Sequence, residues 1–261
     1  MSEPITQRIP SFDGVELAVH RLRPATGSGR PVLLLHGLFS SAQMNWMRFG
    51  HAQALAHAGF EAIMPDLRAH GASAAPHDPA AYPPDVLVRD AAALVERLEL
   101  AEYDLVGFSL GARTAARSVI ESLAPRRLVL AGMGLEGLSD WRRRSALFLE
   151  AIERFEQVGR DEPAYFAVQF MKTMKIDRTA ARLLLHSVQD VAPAGLARIT
   201  CPAMVLCGAE DRDNGSPEAL AAAIPGARHE AVPGNHMNSV TKPELGAAIA
   251  RFLAPAPSRV D

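Results

Sequence analysis

Five short stretches of this chain are almost wholly apolar, and longer stretches rich in alanine and leucine separate most of them. They read "VLLL" (32–35), "EAIMP" (61–65), "YDLVG" (103–107), "RLVLAG" (127–132) and "AMVLCG" (203–208). A strand with one solvated face alternates apolar and polar residues. A run that is apolar at every position is covered on both faces, as in a parallel sheet between helices. Helical patterns at 44–58, 85–98, 109–123, 217–223 and 243–253 supply that cover. Alternating strand and helix implies right-handed crossovers, so the expected fold class is α/β, a mostly parallel, twisted sheet flanked by helices. The stretch "VELAVHRL" (15–22) differs: it alternates with period two and suits an antiparallel edge strand, with "PATGSGR" as the following turn.

The rhythm fails once, from 133 to 198. No strand pattern occurs there, but Phe148, Ile152 and Phe155 recur at helical spacing, as do Phe166, Phe170 and Met174. This predicts a helical cap at 133–198, inserted into a core made of 1–132 and 199–261. A chain of 261 residues, 48% hydrophobic, can bury such a core. The tail "APAPSRVD" (254–261) has the composition of a frayed end.

Lys and Arg total 27 against 29 Asp and Glu, and no long run of one sign concentrates the charge, which points away from nucleic acid and anionic membranes. The opening "MSEPITQRIP" has no apolar core of signal-peptide length, and no stretch reaches the roughly 18 apolar residues of a membrane span. The expectation is a soluble, cytoplasmic protein. Cys201 and Cys207 lie at the two ends of one extended run. Six residues at about 3.3 Å each hold them roughly 20 Å apart, against ~5.5 Å in a disulfide, so they are expected as free thiols.

The stretch "DLVGFSLGARTA" (104–115) leaves an apolar strand through Gly107, places Ser109 at the bend and enters a helix through Gly111. Strand, bend and helix are the setting of a nucleophile elbow, which holds a serine in a strained conformation at the sheet's edge. The helix N-terminus aims backbone N–H groups at an oxyanion forming beside it. Serine is a poor nucleophile at neutral pH and needs a base, which in turn needs a partner to hold one tautomer. Of nine histidines, His236 occupies the expected place, a loop after a late strand-like run, behind Pro233, Gly234 and Asn235. The partner is expected after the preceding strand, where "VLCGAEDRDNGSP" offers Glu210, Asp211 and Asp213.

In these features the sequence resembles the α/β-hydrolase family, whose serine members carry nucleophile, acid and histidine in that chain order. The resemblance runs from about residue 12 to 253 and implies the α/β-hydrolase fold. It selects Asp211, the third residue after the glycine ending the strand, over Asp213 and Glu210. It also identifies "LLLHGLFSS" (33–41) as the oxyanion loop, which implies the backbone N–H groups of Leu38 and Leu110 as oxyanion donors, with His36 fixing the loop. The stretch "MPDLRAHGAS" (64–73) is similar to the family's next post-strand loop, with Ala69 where glycine is more usual and Asp66 expected to cap a turn or bind Arg68.

The implied activity is that of a serine hydrolase cleaving a carboxylic ester, lactones included, through an acyl-enzyme on Ser109, with no metal or cofactor. Haloalkane dehalogenases and epoxide hydrolases of this fold place a carboxylate at the elbow, and Ser109 argues against both. Two alternatives share the scaffold. One is a carbon–carbon bond hydrolase acting on a diketone-like compound, which an arginine holding a substrate carboxylate would favour; Arg113 and the cap arginines are the candidates. The other is a noncatalytic ligand-binding protein. Phe39, Phe108, Trp141, Phe170 and Met174 are the expected lining of a pocket for a small hydrophobic substrate. The run Arg142, Arg143 and Arg144 is expected as a solvated helix face.

Overall fold

The computed structural model describes residues 3–254. Eight strands form one sheet: β1 (Ile5–Pro10), β2 (Glu16–Leu22), β3 (Arg30–Leu35), β4 (Phe60–Pro65), β5 (Asp104–Phe108), β6 (Leu128–Ala131), β7 (Ala203–Gly208) and β8 (Arg228–Val232). Their order is β1-β2-β4-β3-β5-β6-β7-β8. β1 and β2 run antiparallel, and every pairing from β4 through β3 to β8 is parallel. This is the α/β-hydrolase fold.

Every residue of β4, β5, β6 and β7 is buried, because helices cover both faces. Side chains alternate between two cores. Leu33, Leu35, Leu105, Leu128, Leu130 and Val205 point to one, shared with α2 (Val86–Arg97), α3 (Leu110–Glu121) and α8 (Pro217–Ala223). Val32, Leu34, Val106, Val129, Met204 and Leu206 point to the other, closed by α1 (His51–His57) and α9 (Pro243–Leu253). Cys207 lies in β7 and Cys201 just before it, both as free thiols.

Between β6 and β7 the chain is helical: α4 (Leu135–Ser139), α5 (Trp141–Glu153), α6 (Tyr165–Met174), α7 (Arg178–Ser187) and a 3-10 stretch at Pro193–Arg198. Leu138, Trp141, Ile152, Val168 and Leu184 join the core that α3 also builds, so this segment packs as a continuation of that core. No described helix is long and apolar enough to cross a membrane.

Three local features depart from expectation. The 44–58 pattern is not one helix; a π-helical turn at Gln43–Met47 and α1 are separated by Gly50, whose φ of 82° ends helical continuity. β2 is not an edge strand, since β1 pairs outside it. β1 carries no apolar alternation because it is itself the edge, mostly exposed and rich in polar residues. The tail expectation at 255–261 lies outside the described residues.

Candidate active site

β3, β5, β7 and β8 end at the same edge of the sheet, where open α/β folds place their ligands. Ser109 follows β5 directly, with φ 53° and ψ −112°, a conformation costly for any residue with a Cβ. Its N–H donates to the Ala131 carbonyl at 2.8 Å, and its carbonyl accepts from Arg113 N–H at 3.0 Å, tying the bend to β6 and to α3. Two glycines permit the geometry. A Cβ at Gly107 would overlap the backbone of Gly111, and a Cβ at Gly111 would overlap the carbonyl of Leu35.

The loop after β8 brings His236 to Ser109, and the loop after β7 brings Asp211 to His236. Nε2 of His236 lies 3.1 Å from Ser109 Oγ, and Nδ1 lies 2.9 Å from Asp211 Oδ2. A carboxylate can only accept, so Nδ1 carries the proton and Nε2 is left to accept the serine hydroxyl. Asp211 is 3% exposed and His236 7%, and Phe108 lies against the imidazole with centroids 5.3 Å apart. A second Asp211 oxygen accepts from Asp213 N–H at 3.1 Å. Asp213 itself is exposed and has no contact with His236 among the described hydrogen bonds.

The loop after β3 is pinned residue by residue. Gly37 N–H donates to Asn45 Oδ1 at 3.0 Å, Phe39 N–H to His70 Nε2 at 2.9 Å, and Ser40 N–H to the Gly37 carbonyl at 3.2 Å. The Leu38 amide, between these pinned neighbours, has no acceptor among the described hydrogen bonds. Leu110 opens α3, and a first-turn N–H has no intrahelical acceptor. Both residues line the cavity beside Ser109. Asn45 and His70 carried no sequence signal for these roles: Asn45 reaches back eight residues from the π-helical turn, and His70 comes from the loop after β4.

Two buried histidines fasten this loop to the one after β4. His36 donates from Nδ1 to the Gly37 carbonyl (2.8 Å) and accepts from Leu67 N–H (2.9 Å). His70 donates to the Arg68 carbonyl (2.9 Å) while accepting from Phe39. Both must be neutral to accept. Burial holds His36 low, and burial together with the neighbouring His36 takes His70 down to about 3. In the unfolded chain each histidine titrates near its ordinary value of about 6.5. As pH falls below that value the unfolded state takes up protons that the folded state refuses, so stability falls with acidification, by up to ~1.4 kcal/mol per pH unit per group. We expect urea midpoints to decline from pH 6.5 to 5 and the slope to flatten in His70→Gln. An unchanged slope would remove His70 from this role.

Asp66 caps the turn as expected, accepting from Ala42 and Ala72 N–H at 2.7 Å, but it does not bind Arg68. Arg68 turns away to Asp13 and Asp90 instead. Ala69 adopts φ 66°, the left-handed region where glycine costs least.

A cavity of about 870 Å³ opens over Ser109 and His236. Leu38, Phe39, Phe108, Leu110, Trp141 and Phe170 line it, and exposed Phe166 and Met237 stand at its rim. Met174 does not line it. It ends α6, one turn beyond Phe170, and about 5.4 Å of helical rise carries it past the cavity. The arginine run is not one solvated face: Arg142 and Arg143 are exposed, but Arg144 is half-buried, and both Arg143 and Arg144 line the cavity. Among the described residues no group of three or more His, Cys, Asp or Glu could hold a metal.

The family model described as Alpha/beta hydrolase family matches residues 32–249. An epoxide hydrolase of Caballeronia sordidicola is 31% identical over 65% of this chain and 48% of its own length, so the match spans about half of that protein. The crystal structure of a hydrolase from Pseudomonas aeruginosa PA01 superposes with a TM-score of 0.72 at 26% identity, covering 96% of this chain and 98% of that one. An enol-lactonase from Burkholderia xenovorans LB400 shares the fold with a TM-score of 0.69 at 20% identity, over 95% and 99% of the two chains. The matched region runs from the strand before His36 past the loops that bear Ser109, Asp211 and His236, and the chain belongs to the alpha/beta hydrolase family.

Proposed function

We propose that this protein is a serine hydrolase that cleaves a carboxylic ester, lactones included, through an acyl-enzyme on Ser109. The observation that carries it is the hydrogen-bonded chain from Ser109 through His236 to Asp211 at the floor of the cavity. His236 Nε2 takes the serine proton as Oγ attacks the carbonyl carbon, and Asp211 holds the imidazole in the required tautomer and offsets its new charge. The N–H groups of Leu38 and Leu110 receive the oxyanion. His236 then returns the proton to the departing alcohol oxygen, and a water deprotonated by the same nitrogen releases the acid. The first transfer crosses a contact already at 3.1 Å, and each later step moves one proton through the same nitrogen.

The relatives include proteins named for epoxide hydrolysis, esterase and enol-lactonase activity. An alkyl-enzyme formed by opening an epoxide suits a carboxylate nucleophile, whose ester water can then hydrolyse. Attack by a serine hydroxyl would leave an ether, which this machinery has no means to cleave. Ser109 therefore supports acyl transfer for this chain.

The reading is tested with p-nitrophenyl esters from acetate to octanoate, together with a phosphonate inhibitor and peptide mass mapping. Turnover with a preferred acyl length, and the phosphonyl label on the Ser109 peptide, are expected. No turnover across the series and no label on that peptide would overturn it.

A further inference from the structure

Three arginines are withdrawn from solvent around the site, and their hydrogen-bond partners separate them. Arg68 is fully buried and donates to Asp13, Asp90 and the Ala81 carbonyl. Arg113 lines the cavity, but its guanidinium donates to the Gly137, Leu138 and Gln189 carbonyls and to Asp190, with the Trp141 ring 5.0 Å away. Its Nη groups are spent within the protein and its Nε is buried out of reach of solvent, so it is a structural clamp between α3 and the helices above it. Arg144 is different. It lies in the first turns of α5, and among the described residues the one hydrogen bond of its side chain is from Nη1 to the Asp213 carbonyl.

No carboxylate lies within ion-pair distance of Arg144 among the described residues, whereas its neighbour Arg143 pairs with Asp140 at 2.6 Å. The Asp213 side chain is exposed to solvent, which screens its charge. The Arg144 guanidinium lies over Phe148, 5.9 Å from the ring centre, and Phe148 packs edge-on against Phe39 of the loop beside Ser109. A guanidinium offers five N–H donors in a rigid fork that matches a carboxylate. The Asp213 and Asp211 charges act on Arg144 from a distance, but neither carboxylate lies within ion-pair distance of it among the described residues. Burial holds Arg144 below its ordinary value. Both the unspent donors and the ring that orients them belong to the cavity that contains Ser109.

We propose that Arg144 is a specificity-determining residue that receives a carboxylate of the substrate, so that the ester or lactone opened at Ser109 carries an acid group that reaches Arg144 within the same cavity. The inference rests on the ester-hydrolase reading and narrows its substrate class; the same subsite would serve the carbon–carbon bond alternative, so it is read on ester selectivity and does not itself choose between the two. A charge-assisted pair to a carboxylate is worth roughly ten- to a hundred-fold in selectivity.

The test compares the mono-p-nitrophenyl ester of glutaric acid with neutral p-nitrophenyl valerate, in wild type, Arg144→Gln and Arg144→Lys, reading the ratio of the two kcat/KM values. Wild type is expected to favour the acidic ester, Arg144→Gln to lower the ratio at least ten-fold, and Arg144→Lys to fall between them. A ratio that Arg144→Gln leaves unchanged, or a wild type that prefers valerate, overturns the proposal while leaving ester hydrolysis standing. If neither ester turns over, the hydrolase reading is decided by the full ester series and the phosphonate label on Ser109. In that case glutarate alone decides the subsite: it raises the thermal midpoint of wild type and not of Arg144→Gln if the subsite exists, and of neither if it does not.

Discussion

Ser109→Ala is expected to lower kcat toward any ester the wild type hydrolyses by up to roughly a million-fold, the loss measured when the nucleophile of another triad hydrolase is removed. The proton acceptor and the oxyanion donors survive, so a residual rate above that of water should persist. The three residues act as one unit, and the losses should not add. Ser109→Ala with His236→Ala should be little slower than either variant alone, while Asp211→Asn, which allows the wrong imidazole tautomer, should cost on the order of ten-thousand-fold. Single-turnover rates across this set check the scheme, and independent, additive losses would refute it. The backbone adds a second signature. Ser109 holds φ 53°, and alanine inherits that conformation, whereas glycine does not pay for it. Ser109→Gly is therefore expected to be as inactive as Ser109→Ala but more stable by about 1 kcal/mol.

Arg68→Leu is expected to destabilise the fold by about 3–5 kcal/mol, the usual cost of removing one partner from a buried ion pair. Arg68 is 0% exposed and Asp90 3%. Two guanidinium N–H groups reach Asp90 at 2.6 and 3.0 Å, and two more bonds, at 2.6 and 2.9 Å, reach Asp13. Burial raises the Asp90 carboxyl even with Arg68 beside it. Without the arginine it must ionise unpaired or take up a proton. A domain of this size should lose on the order of 10 °C in Tm, with Asp90→Leu added to Arg68→Leu recovering part of it. The loop holding Arg68 also carries His70, which fixes Phe39 in the cavity wall, so ester turnover should fall as well. A loss below ~1 kcal/mol by urea unfolding would show that the network contributes little.

The fold was legible because its causes are local or periodic. Uninterrupted apolar runs require cover on both faces, and the covered strands β4 to β7 follow. Strand, Gly107, Ser109 and Gly111 are contiguous, so the steric need for small residues at the bend could be read directly. His236 was separable from the other histidines by its place after a late strand, chain order narrowed the acid to Glu210, Asp211 or Asp213 and the family resemblance selected Asp211, and the structure places His236 in contact with both Asp211 and Ser109.

What escaped depends on partners brought from elsewhere in the chain. Gly50 breaks a helix that periodicity alone joined, and β1 shows no alternation because its place at the sheet's edge leaves it mostly solvated. Phe170 and Met174 share a helical stripe, yet one turn of rise takes Met174 outside the cavity. Arg113 and Arg144 are the same residue type, and neither one's surroundings can be read from its place in the chain. Four acceptors converge on Arg113 and one on Arg144, and that count arises from where α4, α7 and the acid-bearing loop pack. Residue type and spacing determine strands, bends and the order of reactive groups, since these follow from sterics and burial over a few residues. Which polar groups end up satisfied, and which are left facing a ligand, is decided when distant segments close on one another and exclude water.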